Sequence, residues 1–234
     1  PHAGYIFSGK LAGKVISKIP EKKTFIILGV NHSGFGNKIS FSTHDFETGF
    51  GDVKNNIRLR DKLLEKLKED KLDEELNEWA HQYEHSIEVE LPLLQAGHKK
   101  FNFIPILLKD LNYLECTRVA KILSKFISDK VCIVVSSDFT HYGINYHFTP
   151  FQSNVRENLY KLDKEIISAI LKLDSFRTFD KAKNSTVCGL YGITILTELA
   201  KLKKLKPKLI DYYTSGDASG NWSNVVGYAG VVFS

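Results

Sequence analysis

Methionine is absent from the sequence, and cysteine occurs only three times, at Cys116, Cys132 and Cys188. Because the chain begins at Pro1 and contains no initiator methionine, we expect residues to be missing before it. An odd number of cysteines without close pairs excludes a disulfide-based scaffold. Such cysteine usage fits the reducing conditions of the cytoplasm.

Long apolar segments are also missing from the sequence. No run approaches the roughly 20 residues needed to cross a bilayer, and no charged-then-apolar leader opens the chain. We therefore predict a cytoplasmic protein without a membrane partner. No internal repeat, low-complexity tract or Pro/Gly-rich linker divides the chain, and 43% hydrophobic residues suffice for a core. The sequence thus predicts one domain over residues 1–234.

Charge of one sign is only slightly in excess, since 32 Lys and Arg stand against 27 Asp and Glu. The lysines are dispersed except in the run KLKKLKPK from Lys201 to Lys208, which we interpret as a solvated helix end. Contact of this run with nucleic acid or an anionic membrane is a less favoured interpretation. We therefore expect no nucleic-acid partner.

Short β-branched or aromatic runs alternate with longer segments of helical period, which is typical of a layered α/β fold. We expect a central, mostly parallel or mixed sheet flanked by helices, with a long loop and an edge hairpin in the glycine-rich stretch 34–51. The predicted strands are residues 25–30, 101–108, 131–136, 209–213 and 225–233. The predicted helices are residues 8–19, 57–67, 74–94, 114–127, 155–171 and 188–202.

Polar side chains that can support chemistry follow two of the predicted strands. His32 comes after FIILGVN, and Asp138 and His141 come after VCIVVSS. The carboxyl ends of strands form the ligand crevice of open α/β sheets, so we expect these residues to converge. Each also has an ordinary structural interpretation, as a hydrogen-bonded histidine or, for Asp138, as the N-cap of a short turn.

Two more candidates lie next to predicted helix starts. His2 in PHAGY precedes the first predicted helix, and Cys188 in NSTVCG opens the last one. The positive end of a helix dipole lowers the pKa of a thiol and favours the thiolate that a metal ligand must be. Two imidazoles and one thiolate suit a three-ligand metal site with open positions. A lone cysteine can equally be a small core residue.

Six motifs together resemble the Memo family, which includes protein B of the prokaryotic AmmeMemoRadiSam set. They are PHAGY, GVNHSGFG, EHSIEVELP, SSDFTHYG, NSTVCG and SGD followed by VVGYAG, and they run in the family's order from Pro1 to Gly230. The resemblance implies a fold like that of the class III (LigB-type) extradiol dioxygenases. Those enzymes cleave catechol-type rings with non-haem iron(II).

The resemblance also implies roles for individual residues. The family's metal ligands match His2, His32 and Cys188 in this sequence. His141 matches the place of the dioxygenases' acid/base histidine, so it is a candidate for moving protons. Asp138, three residues earlier, is a candidate for orienting the site or a bound water.

Three further residues are candidates for supporting the ligands or the substrate. His85 and Glu88 in HSIE, at i and i+3, are expected on one helix face beside the metal ligands. Tyr5 is expected to line a pocket for a flat substrate, although core packing explains an aromatic residue equally well.

The thiolate separates this chain from the dioxygenases, which use two histidines and a carboxylate. A softer ligand favours copper(I), zinc or a redox-active iron site, so we predict non-haem iron(II) or copper, with zinc less favoured. Ring cleavage is therefore not implied, whereas redox or dioxygenase-like chemistry on a small molecule stays open. The family's association with peptide-mediated signalling makes a peptide the other candidate ligand.

A zinc peptidase is a remote possibility. Residues 81–85 read HQYEH, which matches the inverted HxxEH motif on a helical segment. In that case His81 and His85 would bind zinc and Glu84 would act as base.

Two further functions would use the same crevice as the metal site. In a thiol hydrolase, His141 or His32 would activate Cys188 as a nucleophile. In a binding module, the crevice would hold a peptide or small ligand without any reaction.

Overall fold

The computed structural model describes all residues from Pro1 to Ser234. The strands are β1 (Thr24–Val30), β2 (Ile39–Phe41), β3 (Phe46–Thr48), β4 (Gly51–Asn55), β5 (Glu74–Leu76), β6 (Asn102–Leu108), β7 (Val131–Val135), β8 (His141–Gly143), β9 (Pro207–Thr214) and β10 (Asn224–Phe233). The helices are α1 (Lys10–Ile16), α2 (Ile57–Glu69), α3 (Glu78–His81), α4 (Glu90–Gly97), α5 (Tyr113–Leu123), α6 (Val155–Leu171), α7 (Ser175–Lys183), α8 (Leu190–Leu202) and α9 (Ser215–Ser219).

The main sheet has seven strands and is mixed but mostly parallel, as predicted. Its central path is β3-β4-β6-β1-β7, and β2 and β5 extend it beside β6. Strand β1 runs parallel to both neighbours, with Leu28 opposite Ile106 of β6 and Val135 of β7. Because these strands share one direction, their carboxyl ends lie along one edge of the sheet.

Strands β8, β9 and β10 form a separate antiparallel sheet in the order β8-β10-β9. The expectation of a single central sheet was therefore wrong for the C-terminal strands. Strand β8 begins at His141, so this small sheet helps to place one of the candidate catalytic residues.

Helices cover both faces of the main sheet. Ile26 and Leu28 of β1 pack into a cluster that includes residues of α2, α5 and α8. Phe25 and Ile27 point to the other face and pack with residues of α1 and α4. Each fully buried side chain of this kind stabilises the fold by about 1.5–3 kcal/mol. The chain is thus a single α/β domain with helices on both sides of its sheet.

One predicted helix was wrong. Residues 74–94 form strand β5, the short helix α3, an irregular turn and the start of α4. The Asn77 side chain accepts a hydrogen bond from the Ala80 amide and so begins α3, which ends at His81. Helix α7 was not predicted, whereas α6 has the predicted bounds. None of the nine helices combines the length and the apolarity that a bilayer crossing requires.

Candidate metal centre

Three imidazoles meet at the edge where β1 ends. The potential ligand atoms of His2, His32 and His85 all lie within 4.8 Å of one another. His2 closely precedes a π-helical turn (Tyr5–Gly9), and His32 follows β1 by two residues. His85 comes from the turn between α3 and α4. The motifs predicted His2 and His32 among the ligands, but they predicted His85 outside them.

The turn that carries His85 packs directly against β1. Ser86 Oγ accepts a hydrogen bond from the Val30 amide at 3.0 Å and donates one to its carbonyl oxygen at 3.2 Å. A Cβ atom at Gly29 would lie 2.6 Å from Ser86 Oγ, so glycine is required for this close approach. The contact holds His85 beside His32, and their rings stack with centroids 5.1 Å apart.

Cys188 borders the same cluster. Its Sγ atom lies 3.3 Å from His2 Nε2 and accepts a hydrogen bond from the Asp138 amide at 3.2 Å. Ligand atoms that each lie 2.0–2.3 Å from one tetrahedral metal ion are themselves roughly 3.5 Å apart. The contact between His2 and Cys188 therefore suits two ligands of one ion. The group whose ligand atoms all lie within 4.8 Å of one another does not include Cys188, whose sulfur contacts it only at His2. Imidazole nitrogens and a thiolate are donors that suit iron, copper or zinc.

The His32 ring is oriented by Glu84. His32 Nδ1 lies 3.0 Å from Glu84 Oε1, and the His32 amide donates to Oε2 at 2.8 Å. Burial raises the pKa of Glu84, but hydrogen bonds from the His32 ring and from the amides of Ser86 and His32 outweigh it and lower the pKa to about 2. A carboxylate on Nδ1 leaves Nε2 of His32 available to a metal ion.

The His2 ring is oriented by a serine and a second buried carboxylate. Ser136 Oγ donates to Glu90 Oε1 at 2.9 Å and lies 2.9 Å from His2 Nδ1, so Nδ1 carries the hydrogen of that bond. Burial, together with the neighbouring imidazoles of His32 and His85, lowers the pKa of His2. His2 is therefore neutral, as a ligand must be, with Nε2 towards Cys188.

The predicted low pKa of Cys188 was wrong. Burial and the nearby charge of Asp138 raise the pKa of the thiol to about 12. Helix α8 begins only at Leu190, so Cys188 lies before its first turn. Without a cation the sulfur stays protonated, which disfavours an activated thiol nucleophile.

Asp138 lies on the loop before β8 and contacts Cys188, and His141 is the first residue of β8. Asp138 Oδ1 accepts a hydrogen bond from the His2 amide at 2.9 Å, so this residue contacts both His2 and Cys188. His141 Nδ1 donates to the carbonyl oxygen of Thr186 at 3.0 Å, and its amide donates to Thr186 Oγ1 at 2.8 Å. With the hydrogen on Nδ1, neutral His141 has an unprotonated Nε2, as a general base requires.

Comparison with known proteins agrees with these motifs. The family described as Memo-like protein matches residues 1–232. The chain belongs to the Memo-like protein family. Relatives named MEMO1 family protein are 35% identical in Methanosarcina acetivorans, over 99% of this chain and 83% of the relative. In Archaeoglobus fulgidus the identity is 35%, and in Aquifex aeolicus it is 36%, each over 100% of this chain and 84% of the relative.

The Memo-like chain does not form the zinc-peptidase arrangement that HxxEH predicted. Helix α3 ends at His81, so His81 and His85 do not share a helix. The His81 ring donates to the carbonyl oxygen of Ser40 at 3.1 Å, and the group of potential ligands does not include it. Glu84 is bound to His32 and is not free to act as a base.

Glu88 and Tyr5 are the other two residues that the sequence suggests for supporting the ligands or the substrate. Glu88 belongs to the turn before α4, so the expected helix face shared with His85 is absent. Tyr5 is half exposed and donates to the carbonyl oxygen of Val89 at 3.0 Å. Their roles towards a ligand stay predictions.

Two carboxylates of the Memo-like site were missed by the sequence analysis. Glu84 was considered only as a peptidase base, and Glu90 was not considered at all. Both are less than 6% exposed. Glu84 bonds to His32, which is 52 positions earlier in the chain, and Glu90 contacts Ser136, which in turn contacts His2. The one signal in the sequence is that Glu84 and Glu90 stand at the two ends of the motif segment EHSIEVE. A carboxylate in such a segment can be buried only where polar partners satisfy it, and the sequence does not show those partners.

Proposed function

We propose that this Memo-like protein holds a non-haem iron or copper ion between His2, His32 and Cys188, with His85 beside the open coordination positions. The observation that carries the proposal is the occupation of both Nδ1 atoms, His2 by Ser136 and His32 by Glu84. A histidine fixed in this way presents Nε2 in one direction, which is how proteins orient metal ligands. One of these rings is buried and the other is exposed, so the pair borders solvent, from which a metal ion and a ligand can enter.

The donor set determines which metal suits the site. Imidazole nitrogens accept iron, copper and zinc, whereas a thiolate favours copper(I) or a redox-active iron over the hard cations. We therefore infer iron(II) or copper as the resident metal, with zinc less favoured. Such an ion supplies Lewis acidity and, for iron or copper, one-electron redox chemistry.

His141 and Asp138 supply the protein's part of the chemistry. The unprotonated Nε2 of His141 accepts a proton from an acidic hydroxyl of a small-molecule ligand. Asp138 keeps His2 and Cys188 in fixed positions through its side chain and its amide. Redox or dioxygenase-like turnover on a small molecule is the function that this arrangement supports best. A cytoplasmic location belongs to the same proposal, since all three cysteines are free thiols.

A non-catalytic binding module is the second candidate. Large aromatic side chains close in sequence to the ligands are exposed, with Tyr5 at 51%, Phe35 at 59% and Tyr83 at 85%. Exposed aromatic residues are the usual anchors for a peptide or small ligand. This candidate predicts saturable binding without turnover whichever metal is supplied.

Whether Cys188 or His85 is the third ligand beside His2 and His32 is tested with cobalt(II) as a spectroscopic probe under anaerobic conditions. We expect a thiolate-to-cobalt charge-transfer band in the wild type and in Cys132→Ala, and its loss in Cys188→Ala. His85→Ala should keep the band. Cobalt that binds to wild type without this band, and whose binding is lost in His85→Ala but kept in Cys188→Ala, would mean that His2, His32 and His85 are the ligands instead.

A further inference from the structure

Four acidic side chains are buried in this protein, and one of them has no contact with the metal ligands. Glu84, Glu90 and Asp138 each bond to a ligand or to its partner. Asp163, in the middle of α6, is completely buried and contacts none of the candidate ligands. No cation lies near enough to affect its ionisation. A buried carboxylate without a cation is costly, so its hydrogen bonds require an explanation.

Two hydroxyl groups donate to Asp163 from opposite sides. Thr140 Oγ1 donates to Oδ1 at 2.6 Å, and the Tyr212 hydroxyl of β9 donates to Oδ2 at 2.7 Å. The backbone of β10 passes close by, because a Cβ atom at Gly227 would lie 2.2 Å from Asp163 Oδ2. Only glycine at this position leaves room for the carboxylate.

Thr140 connects Asp163 to the metal centre. It lies between Asp138, which contacts His2 and Cys188, and His141, which is bonded to Thr186. Its carbonyl oxygen also accepts a hydrogen bond from the Gly227 amide at 3.0 Å. This backbone bond fixes one side of the loop, whereas the other side is tied to α6 by the Thr140 hydroxyl and, more weakly, by the Thr140 amide, which donates to Asp163 Oδ1 at 3.4 Å.

We propose that Asp163 is a positioning residue, which holds the 138–141 loop through Thr140 so that Asp138 and His141 keep their places at the metal centre. This inference rests on the proposed function. Hydrogen bonds to a carboxylate are shorter and stronger than those between neutral groups, which suits a loop that must hold its geometry. A clamp needed only for stability could be formed by apolar packing without burying an acid.

A matched pair of variants separates positioning from stability. Thr140→Val and Tyr212→Phe each remove one hydroxyl donor from the same carboxylate, the first on the side of the site and the second on the far side. We expect both to lower the unfolding midpoint similarly. Only Thr140→Val should accelerate amide hydrogen exchange over residues 138–142 in the metal-free protein, and only it should weaken cobalt(II) binding, by about tenfold.

Two variants of Asp163 complete the test. Asp163→Asn keeps an oxygen that accepts from Thr140 but loses the charge, so its exchange rate and cobalt affinity should lie between those of wild type and Thr140→Val. Asp163→Ala loses both bonds to Thr140 and should be impaired at least as much as Thr140→Val. Equal effects of Thr140→Val and Tyr212→Phe on exchange, or no effect of Thr140→Val, would overturn the inference. If wild type binds no cobalt, the proposed function fails, and the exchange experiment still decides whether Asp163 positions the loop.

Discussion

Glu84 holds His32 at two points, since its carboxylate lies 3.0 Å from the ring Nδ1 and accepts the His32 amide at 2.8 Å. The same carboxylate accepts the Ser86 amide at 2.8 Å. One buried acid therefore fixes the end of β1 and the turn that carries His85. The relative position of two histidines from distant segments depends on it.

Replacing Glu84 by glutamine tests this dependence. The amide group keeps the size of the side chain, but it has one acceptor oxygen in place of two and cannot serve the ring, the His32 amide and the Ser86 amide together. We expect metal affinity to fall by roughly 10- to 100-fold, the usual effect of losing such a partner. Cobalt(II) titration against a competing chelator measures it. Glu65→Gln, at an exposed position of α2, is the control, and equal affinities of the two variants would contradict the role of Glu84.

Ser136 is expected to contribute to stability as well as to ligand orientation. Ser136→Ala removes the group between His2 Nδ1 and Glu90, and leaves both buried without that partner. A buried polar group that loses its hydrogen bond costs about 1–3 kcal/mol, so the free energy of unfolding should fall by that amount. Urea denaturation of metal-free protein provides the value. Ser124→Ala, at the end of α5, should change it by less than about 0.5 kcal/mol. An equally small change for Ser136→Ala would contradict the hydrogen bonds of Ser136 with His2 and Glu90.

Asp163 should make stability depend on pH. Burial raises its pKa from 3.8 to about 6 in the folded protein. The folded state thus keeps a proton that the unfolded chain loses, and wild type loses stability relative to Asp163→Asn as pH rises from about 4 to about 6. A two-unit shift corresponds to about 3 kcal/mol. Urea unfolding of both proteins at pH 4 and pH 8 gives the difference, which should change by that order; a difference independent of pH would show that the carboxylate is not desolvated.

Local periodicity predicted the bounds of helices and strands in which apolar residues recur at one regular spacing from end to end. The helix expected over 155–171 has those bounds, and β1 differs from its prediction by one residue. In 74–94 the apolar spacing was equally helical, yet Ser86 hydrogen-bonds to Val30 and Glu84 to His32. These contacts with a distant strand replace helical hydrogen bonds, and no local pattern contains them.

The candidate site was predicted from the motifs only in part. His2, His32, Asp138 and Cys188 were expected together, and their contacts show that they are neighbours. His85 was placed beside the ligands because the resemblance matches the ligand set to His2, His32 and Cys188. The role of Asp163 depends on its hydrogen bond with Thr140, 23 positions earlier in the chain. Side chains that act through hydrogen bonds between distant segments leave no recognisable spacing in the sequence.

The most direct test is the metal content of anaerobically prepared protein, compared between wild type, His32→Ala and His44→Ala. His44 is an exposed histidine on the loop after β2 and is not part of the cluster. We predict close to one iron or copper ion per chain in wild type and in His44→Ala, and its loss in His32→Ala. Wild type that binds neither metal when supplied with it, or His32→Ala that keeps the full content, would contradict a metal centre at this site.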